Sequence, residues 1–226
     1  GKRIGLYMKT FGINYKVDSL MFEAVEIMKN LGAEIIEIDE LYNPIVEDYS
    51  FKIMLYEYKD GLNKYFESLG PDSPINNLDE LIEFNKNSPV EMEFYNQKYL
   101  EMANQMESVD SEDYNVTLRN MMFEVRENGI DKVMNDNKLD AIIAPTGSPA
   151  WKTDHVNGDS YVLGSSSPAA ISGYPNITVP MGSIGELPVG ISFFGREWSE
   201  PLLLEIAFGY ENNTNHRISP KFISTD

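Results

Sequence analysis

The apolar positions along this chain change their period several times, and each change marks a change of element. Ile4, Leu6, Tyr7 and Met8 make a short apolar run that reads as a strand over residues 4–8. Leu20, Met21, Ala24, Val25, Ile27, Met28 and Leu31 then recur at helical spacing, and Gly32 can adopt the left-handed conformation that ends such a helix. Residues 33–38 are short, β-branched and followed by polar sequence, so they read as a second strand. Strand, helix and strand in succession form a βαβ unit, which implies a parallel pair by the right-handed crossover rule.

The middle third is helical in pattern. Between residues 48 and 69, Phe51, Met54, Leu55, Tyr58, Leu62, Tyr65, Phe66 and Leu69 fall on one helical face, and Gly70-Pro71 ends the run. Three more helices are expected over residues 78–87, 89–106 and 110–135. The last takes Asp110 or Ser111 as its N-cap and buries Leu118, Met121, Met122, Val125, Val133 and Met134. The aromatic and methionine positions of these helices read as core.

The pattern changes again at residues 139–144, a nearly continuous apolar run ended by Pro145, which fits a strand buried on both faces. A Gly/Ser/Pro-rich loop follows, then a short helix over 168–172 and strands over 177–181 and 187–194. Pro180 and Pro188 cannot donate to a ladder, which places edges or bulges there. A closing helix spans 200–212, with Ser199 as N-cap and Pro201 tolerated in the first turn. With no repeat and no low-complexity linker, residues 1–226 read as a single α/β domain, a three-layer α/β/α arrangement with a mixed sheet.

Composition narrows the function. At 226 residues and 42% hydrophobic, the chain can bury a sizeable core. Its net charge of -18 repels phosphates and anionic headgroups, which argues against nucleic-acid partners. No apolar run is long enough to span a bilayer, and the opening residues 1–8 are too short for a signal-peptide core, so no membrane partner is expected. There is no cysteine, hence no disulfide framework, no thiolate nucleophile and no Cys-based zinc site. That absence fits a cytoplasmic bacterial protein and also a secreted one. With only His155 and His216, a multi-histidine metal site is excluded, and neither metal nor cofactor is expected. The start at Gly1, almost directly before a strand, suggests an artificial or processed beginning. The sequons at Asn115, Asn176 and Asn212 read as chance occurrences.

Candidate chemistry is sparse. His155 with Asp154 or Asp159 and a nearby serine can be written as a triad, but no serine sits in a Gly-x-Ser-x-Gly elbow, and His155 reads as a loop histidine. Glu57 and Lys59 lie two apart on a helix and point to different faces, so Glu57 reads as a partly buried carboxylate tying its helix to a neighbour.

Three blocks in the last third carry a resemblance: Leu139-Asp140-Ala141-Ile142-Ile143-Ala144-Pro145-Thr146, Gly173-Tyr174-Pro175-Asn176-Ile177-Thr178-Val179-Pro180-Met181-Gly182, and Leu187-Pro188-Val189-Gly190-Ile191-Ser192-Phe193-Phe194-Gly195. In this order they closely resemble the C-terminal motifs of amidase-signature enzymes. The helix from Leu55 to Tyr65 and the closing helix look like that family's too, in its peptide-amidase-like bacterial branch. The resemblance implies the C-terminal part of the amidase-signature fold, with no catalytic residue in this chain. The family's lysine and two serines, arranged Ser-cisSer-Lys, belong to an N-terminal half that is absent here. It further implies a parent enzyme that hydrolyses a carboxamide or peptide amide to carboxylate and ammonia, this region being inactive alone and supplying scaffold and one wall of the pocket. The missing half and a small amide or peptide-amide substrate are then the expected partners, and surfaces that faced that half should expose apolar patches.

Within that wall the candidates for substrate binding are Pro145, Thr146, Ser165, Ser166 and Ser167. The segment Gly164-Ser165-Ser166-Ser167 looks superficially like the family's Gly/Ser signature, but lacks the diglycine-serine that follows it and a partnered lysine. It reads as a substrate-bordering loop, a plain helix start or, least favoured, a nucleophile. Two other readings stay open: the amidase-like subunit of a tRNA-dependent amidotransferase, and a non-enzymatic α/β binding module.

Overall fold

In the computed structural model, which describes residues 1–221, the βαβ unit forms as its pattern requires. β1 (Arg3–Tyr7) and β2 (Glu34–Ile38) pair in parallel across α1 (Tyr15–Asn30). Asn14 caps α1 through its side chain, accepting from the backbone N–H of Lys16 and Val17. Gly32, at φ +92°, turns the chain out of the helix, and Ala33 N–H bonds back to Met28 O. Leu31, the last of the helically spaced apolar residues, lies in this exit turn and is half exposed.

Three more strands complete one mixed sheet in the order β2-β1-β3-β5-β4, with β3 (Ala141–Pro145), β4 (Asn176–Ile184) and β5 (Leu187–Phe194). β3 lies parallel to β1 and antiparallel to β5. All five residues of β3 are buried, as its unbroken apolar run requires for a strand covered on both faces. Both prolines fall where a missing N–H is harmless: Pro180 is on the edge strand β4 beside a bulge, and Pro188 lies in the part of β5 that reaches past β3.

Helices clothe both faces. On one, Ile4, Leu6, Ile143, Ile191 and Phe193 join a core with Met21 and Met28 of α1 and Leu203 and Tyr210 of α8 (Glu200–Thr214). The other face carries Ile142, Ser192 and Phe194, all buried, and Met134 of α6 (Asp131–Asp136) reaches the end of β5 at Gly195. The result is an α/β/α layering around a mixed sheet. The short α7 (Ser167–Ser172) ends at Gly173 in a left-handed turn, φ +71°.

Where the sequence reads as one domain, the described residues group into two compact units: Gly1–Asn43 with the residues from Val125 onward, and Pro44–Glu124. The sheet belongs to the first. The second is helical, with α2 (Ile45–Ser68), α3 (Leu78–Lys86), α4 (Lys98–Asn104) and α5 (Glu112–Val125). Leu55, Leu78, Ile82 and Ala103 form its core.

Two helical expectations are corrected. The helix expected over 89–106 begins only at Lys98, because Asn96 caps Lys98 N–H and the buried Gln97 amide donates to Ile82 O, holding the preceding segment off a helical path. The helix expected over 110–135 begins as anticipated, with the Ser111 hydroxyl accepting from Tyr114 N–H, but breaks after Val125 into a wide π-helical turn, Arg126–Ile130. Gly129 in that turn has φ -109° and ψ -110°, outside the helical region.

The stripe expected to be the buried face of α2 is also rotated. Of that stripe Leu55 is buried and Leu62 and Phe66 are half-buried, but Phe51, Met54, Tyr58, Tyr65 and Leu69 are 36–56% exposed, and Val46, Ile53 and Tyr56 are buried in their place. Polar contacts fix this orientation: the Tyr56 hydroxyl donates to Asp113 at 2.6 Å, the Tyr114 hydroxyl to Glu57 at 2.8 Å, and the Lys59 ammonium to Asn104 O at 2.9 Å. Glu57 does tie its helix to a neighbour, but as an exposed carboxylate.

Candidate functional site

The carboxyl ends of β1 and β3 point the same way, and ligands in open α/β sheets gather at that end. Here β3 finishes at the buried Pro145 and runs into Thr146, whose N–H bonds Gly190 O at 2.8 Å and so extends the pairing by one residue. Register then sets three hydroxyls together. The Thr146 hydroxyl lies 2.5 Å from that of Thr178 on β4 and 2.9 Å from that of Ser192 on β5, while Thr178 also donates to Ile191 O. Gly190 makes room for them: a Cβ there would sit 2.8 Å from the Thr178 oxygen and 2.9 Å from the Thr146 oxygen. The motif glycine is thus a packing requirement of a polar cluster.

After Thr146 the chain leaves through Gly147, which is bridged to Gly164, and returns at Ser165, whose N–H bonds Thr146 O at 3.3 Å. Ser165 is only 2% exposed, and neither its hydroxyl nor that of Ser148 has a hydrogen-bond partner. Most buried hydroxyls find one, so an unpaired pair beside a strand end marks a place where a polar group from elsewhere can dock. The five sequence candidates therefore divide. Pro145, Thr146 and Ser165 come together, with Ser165 buried. Ser166 and Ser167 are exposed, opening α7, and Ser166 makes no side-chain cap.

The neighbouring turn is locked by a network that the sequence pattern does not reveal. Arg126, in the π-helical turn, donates through Nε to Ser172 O at 2.7 Å and stacks over the Tyr174 ring at 5.2 Å. The Tyr174 hydroxyl donates to Asp131 at 2.8 Å, and burial, with the adjacent carboxylate, pushes its pKa well above the ordinary range. Only the tyrosine of the Gly173-Tyr174-Pro175 motif was a visible signal. Its partners are far away in sequence.

The two aspartates weighed as triad partners for His155 both bond to other groups of the loop. The Asp154 carboxylate accepts from Val156 N–H, Asn157 N–H and the Asn157 amide, which lowers its pKa, and Asp159 accepts from the Trp151 indole. Both aspartates help to hold the loop. Among the described residues no three His, Cys, Asp or Glu side chains come together in a way that could hold a metal ion, and no helix is long and apolar enough to cross a membrane.

Comparison with known proteins agrees with this architecture. The crystal structure of a peptide amidase bound to the competitive inhibitor chymostatin superposes with a TM-score of 0.89 at 33% identity, over 98% of this chain and 45% of that one. The native peptide amidase of Stenotrophomonas maltophilia gives 0.84 at 32%, over 99% and 45%. A probable amidase of Arabidopsis thaliana is 34% identical over 99% of this chain and 40% of its own length, and a subunit of the glutamyl-tRNA(Gln) amidotransferase of Legionella pneumophila is 28% identical over 90% and 43%. The chain thus spans less than half the length of these relatives. Residues 1–204 match the Amidase family, and the chain belongs to that amidase-signature family.

Proposed function

We propose that the protein of which this chain forms part hydrolyses a carboxamide or a peptide amide to carboxylate and ammonia, and that this region supplies scaffold and one wall of the substrate pocket. The observation that carries the reading is the pair of buried, unpaired hydroxyls, Ser148 and Ser165, beside Thr146 at the carboxyl end of β3, in a fold that follows part of peptide amidase along 98% of this chain. In this reading the wall consists of Pro145, Thr146 and the Ser165, Ser166 and Ser167 segment.

The chemistry would be of the Ser-cisSer-Lys type. An activated serine attacks the amide carbonyl, the lysine and bridging serine pass the proton to the departing ammonia, and backbone N–H groups hold the oxyanion. Those groups are proposed to lie outside residues 1–226, so the chain alone is expected to be silent. The proposed setting is the cytoplasm, to be checked by fractionating the source cells.

The test is ammonia release from simple, aromatic and peptide amides, with this chain and the full-length gene product assayed side by side. Activity confined to the longer protein supports the reading, and turnover by the chain itself would make Ser165 the first serine to mutate. In the full-length enzyme, Thr146→Ala and Ser165→Ala should change KM unequally among amides; an unchanged profile would remove them from the site.

The 28% identity to the Legionella amidotransferase protein favours a second reading, in which the ammonia is handed to a partner-bound acceptor. A strict need for a partner protein would select it. A non-enzymatic binding module is the outcome if no amide is turned over by any form.

A further inference from the structure

Residues 148–163 carry neither helix nor strand, yet they are held in a defined shape. Connections of this length inside a compact unit are usually functional. At the base, Gly147 and Gly164 are bridged, and Ser148 N–H bonds Leu163 O. Inside the loop the Trp151 indole donates to Asp159, its ring meets Tyr161 edge-on at 6.0 Å, and Asp154 closes a tight turn through Val156 and Asn157. Tyr161 folds back on the base, so that a Cβ at Gly164 would lie 2.5 Å from its hydroxyl.

The outcome is two large rings fixed in place but not buried, Trp151 at 42% and Tyr161 at 60% exposure. Rings ordered in advance lose little entropy on binding, and an edge-to-face partner gains energy beyond the area it covers. Three residues before Trp151 and four after Tyr161, Ser148 and Ser165 hold unpaired buried hydroxyls, which suit the backbone N–H and C=O groups of a peptide. An apolar shelf beside polar pairing groups matches an amino-acid amide whose side chain is aromatic.

We propose that the Trp151–Tyr161 shelf receives an aromatic side chain of the substrate and makes the enzyme selective for amides of aromatic amino acids, or of peptides that end in one. This rests on the amide-hydrolase reading and adds the substrate class to it.

The test compares kcat/KM of the full-length enzyme for N-acetyl-phenylalaninamide and N-acetyl-glycinamide. Trp151→Ala should lower the ratio about tenfold, mainly through KM for the aromatic amide. Trp151→Phe should restore most of it, and Val156→Ala, at a 92% exposed position of the same loop, should leave it unchanged. A ratio unmoved by Trp151→Ala, or an equal fall for both amides, overturns the shelf. If the full-length protein hydrolyses neither amide, the amide-hydrolase reading falls and binding decides. In Trp198→Phe, which leaves Trp151 as the sole tryptophan of the 226-residue chain, a saturable emission shift with the aromatic amide alone retains the shelf; no shift overturns it as well.

Discussion

Gly190 offers the sharpest check on how the strand ends are built. Its substitution by alanine would place a methyl 2.8 Å from the Thr178 oxygen, 2.9 Å from the Thr146 oxygen and 3.3 Å from the Thr146 Cβ. Ordinary contacts of this kind lie near 3.5–4 Å, so two neighbours on two strands must give way together. Overpacking a tight position costs about 1–3 kcal/mol, and loosening one hydroxyl pair adds about 1. The expected loss is therefore about 2–4 kcal/mol, or roughly 4–16 °C in Tm for a chain of this size. Thermal and urea unfolding of wild type, Gly190→Ala, Thr178→Ala and the double variant would measure it. Deleting the Thr178 oxygen removes one of the two clashes, so the double variant should recover about 1 kcal/mol relative to additivity. If Gly190→Ala unfolds within about 0.5 kcal/mol of wild type, or Thr178→Ala brings no recovery, the hydroxyl cluster is not the reason for glycine there.

Other outcomes follow from the same geometry. The Tyr210 hydroxyl is buried without a partner and burial pushes its pKa from near 10 up to about 12, so Tyr210→Phe should stabilise the chain by about 1 kcal/mol at neutral pH. A raised folded-state pKa gives stability that is present below pH 10 and lost as the pH climbs through 12, so the variant should lose less stability than wild type over that window in alkaline denaturation. Equal stability and equal alkaline loss would refute this. Tyr174→Phe removes the bond to Asp131 and should cost about 1–2 kcal/mol in urea unfolding, whereas a neutral result would make the Arg126–Tyr174–Asp131 network ornamental. The exposed α2 stripe should make the isolated chain self-associate; size-exclusion at rising concentration should show this, and Phe51→Ser with Met54→Lys and Tyr58→Glu should suppress it. A wild-type chain that stays monomeric and binds no hydrophobic dye would count against it.

Local sequence determined much of this protein. The βαβ opening, the doubly buried β3, the prolines at an edge and a strand extension, and the Gly32 helix exit all follow from period, β-branching and backbone freedom, which act within a few residues. The family blocks were legible for the same reason, since each is a continuous stretch lying on a strand or its turn. What the tertiary structure alone decided is which apolar face is covered and which polar groups meet. The α2 stripe had the right period for a buried face, but its orientation was set by Asp113, Tyr114 and Asn104, up to sixty residues away. Thr178 and Ser192 looked like ordinary strand residues, with nothing to link them to the candidate Thr146, until antiparallel register put the three side by side. Ser165 differs from Ser166 and Ser167 only because the Gly147–Gly164 bridge folds it under the loop. Burial and pairing are properties of neighbours in space, and a one-dimensional pattern records only neighbours along the chain.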